Sequence, residues 1–173
     1  MNKKIAVNLI KKSLYLPRIP FLWLIRLYQK TLSPDHGWCR VFYPYGIGEH
    51  PSRLCTWLIR QIAQRQKVIL KNPASTKDYL HIDDVASALL TIVESGVVGS
   101  INVGTGVGVQ VKDLAAIIAR LLQAPEMVGE SIEAAPDPYS HVVADATKLR
   151  ALGWRPQVAL ADGLAALVRH HTQ

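Results

Sequence analysis

Residues 77–86, Lys-Asp-Tyr-Leu-His-Ile-Asp-Asp-Val-Ala, constrain this chain more than any other stretch. Residues 78–81 read as a strand, and Asp83 reads as the cap of a helix running to about residue 94. Ser95 and Gly96 then end that helix. A second strand is expected at 100–103, closed by the glycine-rich loop 104–108. Strand, helix and strand in that order require a layered α/β arrangement, because each element must bury one face on the next.

The same alternation extends in both directions. Residues 40–43 read as a strand and 44–51 as a glycine-containing loop. Ser52 reads as the cap of a helix to 66 that buries Leu54, Leu58, Ile59 and Ile62. Short extended segments are expected at 68–70 and 131–134, and helices at 111–122, 145–152 and 160–170.

Charge divides the chain differently. Residues 1–34 carry Lys3, Lys4, Lys11, Lys12, Arg18, Arg26 and Lys30 and no acid, whereas thirteen bases face thirteen acids from Asp35 onward. The net charge of +7 therefore sits wholly in the leader. Helices are expected at 5–16 and 21–32, separated by Pro17 and Pro20. In the second, Arg26 and Lys30 share one face while Trp23, Leu24, Leu27 and Tyr28 make much of the other. That pattern suits an anionic membrane surface, with Lys3, Lys4, Lys11, Lys12, Arg18, Trp23, Arg26 and Lys30 as the contacts. It suits a surface helix packed on a protein core equally well. The apolar bulk between the charges argues against nucleic acid, and no uncharged run approaches the roughly 20 residues needed to span a bilayer. The turn cluster 33–37 places a boundary at about Trp38. Cys39 and Cys55, sixteen apart with no His at ligand spacing, argue against a zinc site and suit a reduced cytoplasmic chain.

The motifs resemble a known family. Arg40-Val-Phe-Tyr-Pro-Tyr-Gly46 is similar to Arg-x-Phe-Asn-x-Tyr-Gly, and Lys77 to Ala86 to Arg-Asp-Phe/Tyr-x-His-Val-x-Asp-Val-Ala. Asn102-Val-Gly-Thr-Gly106, Asp145-Ala-Thr-Lys148 and Leu152-Gly-Trp-Arg-Pro156 complete the likeness. All belong to the carboxyl-side half of extended short-chain dehydrogenase/reductases, the NAD-dependent nucleotide-sugar epimerases and dehydratases. The resemblance covers about residues 39–173 and implies the substrate-binding part of a Rossmann-type fold. It implies substrate contacts at Arg40, Tyr43, Tyr45 and Lys77, and cofactor contacts at Val41 and Phe42. Two substitutions stand out: Tyr43 replaces the family's Asn, and Lys77 replaces an Arg, keeping the charge but losing the planar fork.

Three departures bear on catalysis. No tyrosine is followed at the fourth position by lysine, so the phenolate acid/base pair of the family is absent. No Gly-x-x-Gly-x-x-Gly cradle is present, and the family's Arg is missing near Ala135-Pro136-Asp137. Loop 104–108 reads as a structural turn and not a phosphate loop. Ser140, His141 and Asp145 are expected to face solvent, and His170 and His171 to complement a helix end. No catalytic or metal-binding residue is therefore assigned. The NAD(P) of the intact family is not expected to bind stably to this chain alone.

The leader has a likeness of its own. Leu24-Ile-Arg-Leu-Tyr-Gln-Lys-Thr-Leu-Ser-Pro34 and Asp35-His-Gly-Trp38 resemble the start of the bacterial membrane-insertion efficiency factor family YidD. The two likenesses meet over Arg40 to Pro44, as a fusion would produce. Three functions follow as expectations: a nucleotide-sugar-binding half-enzyme, inactive alone; a membrane-surface protein acting through its leader at the inner face of the cell membrane; or a binding module that forms a homodimer or needs a partner chain.

Overall fold

The computed structural model describes residues 39–132 and 138–173, and the basic leader with its lipid-facing candidates lies outside them. Strand β1 (Cys39–Val41) pairs in parallel with β5 (Ile101–Val103), Cys39 opposite Ile101 and Val41 opposite Val103. Strand β2 (Pro44–Tyr45) pairs in parallel with β4 (Leu80–His81). Strand β3 (Thr76–Lys77) lies between β6 (Val109–Gln110, antiparallel) and β7 (His141–Val142, parallel).

The single strand expected at 40–43 is broken. Phe42 N still donates to Val103 O at 2.9 Å, but the chain bends at Tyr43, whose carbonyl accepts from Leu80 N at 3.2 Å. Pro44 explains the switch, since it restricts the residue before it and has no N–H to extend the first ladder. The strand expected at 78–81 is split in the same way. Lys77 ends β3, Asp78 N donates to Val142 O at 3.1 Å, and the chain re-enters a ladder at Leu80.

Helix α1 (Leu54–Ala63) starts later than expected, and Ser52 does not cap it. The Ser52 hydroxyl is engaged with His50 Nδ1 at 2.8 Å, and Glu49 Oε1 accepts from Thr56 N at 2.8 Å instead. A carboxylate reaching in from the loop satisfies the free amide better than a hydroxyl. Helix α2 (Ile82–Ser95) is capped by His81, whose Nδ1 accepts from Asp83 N, and not by Asp83. Asp83 stands in the first turn, where its charge still favours the dipole. Gly96, at φ 62°, closes the helix in the left-handed conformation.

Helices α1, α3 (Val111–Leu121) and α5 (Leu160–Thr172) bury one another's apolar faces. Leu58, Ile59, Ile62, Leu114, Ile118, Leu164 and Leu167 are fully buried there, each worth roughly 1.5–3 kcal/mol. Leu80, Val85, Ala88, Ile101, Val103, Leu149 and Trp154 form a second cluster, to which α4 (Thr147–Ala151) contributes Leu149.

Two buried carboxylates join these clusters to their loops. Asp84 accepts from Gln157 N at 2.9 Å and Val158 N at 3.1 Å. Asp78 accepts from Thr105 N, Thr105 Oγ1, Gly106 N and Ala144 N at 2.5–3.1 Å. Among the described residues, no helix is long and apolar enough to cross a membrane.

Candidate functional site

The break at Tyr43-Pro44 leaves a cleft beside it. A cavity of about 250 Å³ opens between this bend, the start of α1 and the β3–β4 link. Tyr79, Cys55, Tyr45, Lys77 and Val111 line it and are buried, while Glu49, Ser52 and Arg53 lie on its more exposed side. Tyr43 meets Tyr79 edge-on, with centroids 6.0 Å apart. Lys77 Nζ lies 5.5 Å from the Tyr43 ring centroid and donates to the Tyr139 carbonyl. Arg53 Nη2 donates to the Pro44 carbonyl at 3.0 Å, which anchors a guanidinium at the mouth.

A second cavity of about 240 Å³ shares Tyr43, Pro44 and Arg53 and is otherwise bordered by Arg40, Val41, Phe42, Tyr139 and Val142. The six residues named from sequence therefore fall around two adjoining cavities, with Tyr43 common to both. Arg40 is exposed, its guanidinium 5.3 Å from the Phe42 centroid. Phe42 is buried, and Val41 is 37 % exposed. The Tyr45 hydroxyl is engaged by the fold, donating to Leu160 O at 3.3 Å, while its ring packs edge-on against His81.

Sequence reasoning did not single out Arg53, Glu49 or Tyr139, and it passed over Tyr79 inside the strongest motif. Arginine ahead of a helix and tyrosine in a strand carry no periodic signal. Ser140, His141 and Asp145 are exposed. Among the described residues, no group of three or more His, Cys, Asp or Glu gathers at metal-binding distance.

Burial pushes the Tyr79 and Tyr45 phenols and the Cys55 thiol well above their ordinary values of 10.0 and 9.0. All three therefore hold their protons at neutral pH. A raised folded value gives stability that is complete below the unfolded value and lost as pH rises through the folded one. Urea midpoints are thus expected to fall steadily from about pH 9 upward as the unfolded chain releases protons that the folded chain retains. A midpoint constant up to about pH 11 would contradict this burial.

Loop 104–108 offers no cradle for a pyrophosphate. Gly104-Thr105-Gly106-Val107-Gly108 follows a strand, yet the Thr105 and Gly106 amides are already held by Asp78. A Cβ at Gly104 would stand 2.4 Å from Ala144 Cβ and 2.7 Å from Asp78 Oδ2, so glycine here admits a carboxylate of the chain itself. These amides are unavailable to a pyrophosphate.

Comparison with known proteins agrees with this architecture. Residues 19–104 match the family described as the NAD dependent epimerase/dehydratase family, so the match begins upstream of the boundary expected at Trp38. Low-salt glycan biosynthesis protein Agl12 of Haloferax volcanii is 27% identical over 153 residues, covering 86% of this chain and 48% of its own. GDP-L-fucose synthase 1 of Arabidopsis thaliana is 32% identical over 147 residues, covering 76% and 45%. Among solved structures, DesIV (dTDP-glucose 4,6-dehydratase) from Streptomyces venezuelae, as a double mutant with NAD and DAU bound, aligns at a TM-score of 0.73 and 25% identity over 86% of this chain and 47% of that one. The Thermus thermophilus UDP-glucose 4-epimerase complex with NAD aligns at 0.70 and 24% identity over 88% and 51%, a likeness of fold. The chain spans about half the length of the relatives it matches.

Proposed function

We propose, from the premise that the chain belongs to the NAD dependent epimerase/dehydratase family, that its described part binds a nucleotide-sugar and performs no hydride transfer by itself. One observation carries the binding half of this reading: three cations, Arg40, Arg53 and Lys77, border two adjoining aromatic-lined cavities. A diphosphate there gains about 4 kcal/mol of Coulombic attraction per cation at 4 Å and an effective dielectric constant near 20, before desolvation. Tyr43 and Tyr79 supply the flat apolar surfaces that a nucleotide needs beside its phosphates. The second half follows from composition. No Tyr-x-x-x-Lys pair exists to move a proton at the sugar, and the Thr105 and Gly106 amides are spoken for.

Calorimetry of the full chain with UDP-, dTDP-, CDP- and GDP-sugars tests the reading. At least one is expected to bind, and Lys77→Met is expected to weaken it about tenfold to a hundredfold. Lys77→Arg should retain much of the affinity, since charge is kept. With NAD added, chromatography is expected to show no conversion of the sugar. Absence of binding by every nucleotide-sugar would end the first claim, and conversion would end the second.

A further inference from the structure

The site is divided, and one side chain makes most of the division. The cavities of about 250 and 240 Å³ have Tyr43, Pro44 and Arg53 in common, so these three residues form the wall between them. Lys77 borders the first cavity alone and Arg40 the second alone. Pro44 and Arg53 are tied to each other, the guanidinium holding the Pro44 carbonyl at 3.0 Å. The third member, Tyr43, brings the only aromatic ring, and the fold pins it. The Tyr79 ring meets it edge-on at 6.0 Å, and the Lys77 ammonium, itself held by the Tyr139 carbonyl, lies 5.5 Å from its centroid. Its backbone is fixed as well: the carbonyl accepts from Leu80 N at 3.2 Å, and Pro44 restricts the residue before it.

We infer that Tyr43 is a specificity-determining residue whose ring partitions the site and limits the size of the sugar that a bound nucleotide-sugar can carry. The inference rests on the nucleotide-sugar reading above. Each cavity alone falls below the roughly 300–1,000 Å³ of sites that enclose a whole drug-sized ligand, and the two joined fall within that range. A ligand of that size must therefore divide around the Tyr43 ring, and every added sugar substituent presses on it. The ring's faces offer sugar hydroxyls and amides no hydrogen bond, so groups forced against them lose water without replacement. Asparagine, which the resembling family carries at this place, ends where the ring begins to widen. Tyrosine here puts a partition where an amide would leave an opening.

Calorimetry of the full chain with UDP, UDP-xylose, UDP-glucose and UDP-N-acetylglucosamine tests this, or with the same sugars on whichever base the chain binds best. Affinity of the natural chain is expected to fall along the series, the N-acetylated sugar binding about tenfold or more below the free diphosphate. Tyr43→Asn is expected to flatten the series to within about threefold. Tyr43→Phe should keep the gradient, because the ring and not the hydroxyl is the wall. Thermal unfolding of Tyr43→Asn checks that it folds, and Tyr43→Leu, which also lacks the ring, takes its place if it does not. A flat series in the natural chain overturns the inference and leaves the nucleotide-sugar reading standing. A gradient kept by a folded variant without the ring, or lost in Tyr43→Phe, overturns it too. If neither a nucleoside diphosphate nor a nucleotide-sugar binds the natural chain, both readings fall.

Discussion

Asp78→Ala is expected to lower the unfolding free energy by about 3–5 kcal/mol. The Asp78 side chain is fully buried and its two oxygens receive four donors. Alanine would strand three amides and a hydroxyl at once, each costing about 1–3 kcal/mol if nothing replaces the oxygen. The loop at 104–106 can relax toward water, which keeps the sum below the arithmetic maximum. Asp78→Asn should be intermediate, since an amide turns one acceptor into a donor facing the Gly106 and Ala144 amides or the Thr105 pair. Urea denaturation of both variants measures the difference. A loss under about 1 kcal/mol for alanine would mean that the carboxylate does not organise the loop.

Trp154→Ala should cost a similar 3–5 kcal/mol for a different reason. Trp154 is 5 % exposed in a cluster of seven buried residues, and it is the largest of them. Its indole Nε1 also donates to Ser87 Oγ at 3.0 Å, tying the segment after α4 to α2. Small clusters have few neighbours able to fill a hole left by an aromatic ring, so the cavity term persists. Trp154→Phe separates the two contributions. It retains most of the ring and loses the hydrogen bond, for an expected cost of about 1–2 kcal/mol. Equal losses for the two variants in urea would show that packing in this cluster contributes little.

These effects show where sequence is informative and where it is silent. Helix α3 was legible almost to the residue, 111–122 expected against Val111–Leu121, because its apolar period and flanking loop agree. The α5 helix was legible for the same reason, and it runs two residues beyond expectation. The breaks after Val41 and Lys77 were not legible, because a strand changes partner only when the neighbours' positions are known. Caps failed similarly: Glu49, seven residues before the Thr56 amide it accepts from, takes the place expected of Ser52. Asp78 was read as fixing its strand, but its partners lie 27 to 66 residues downstream.

The candidate site follows the same division. Arg40 to Tyr45 and Lys77 were visible as motif positions, and the structure brings them around adjoining cavities. Arg53 and Tyr79 became visible only once those cavities existed. Gly163 illustrates the cost of local reading. A glycine in the first turns of a helix looks like a weak point, yet a Cβ there would stand 2.3 Å from the Tyr45 hydroxyl. Its absence of a side chain is what lets Tyr45 reach Leu160.

Asp84 carries a consequence for the order in which this chain can mature. Its carboxylate is buried under α2, and its amide partners are supplied 73 and 74 residues later. During synthesis α2 would emerge with an unmatched carboxylate, and the α1–α3 face would emerge without α5 to cover it. Neither deficit is corrected until residues 157–172 have left the ribosome. The described unit therefore completes itself late, and a nascent chain halted before Gln157 holds an exposed core and a charge in search of donors.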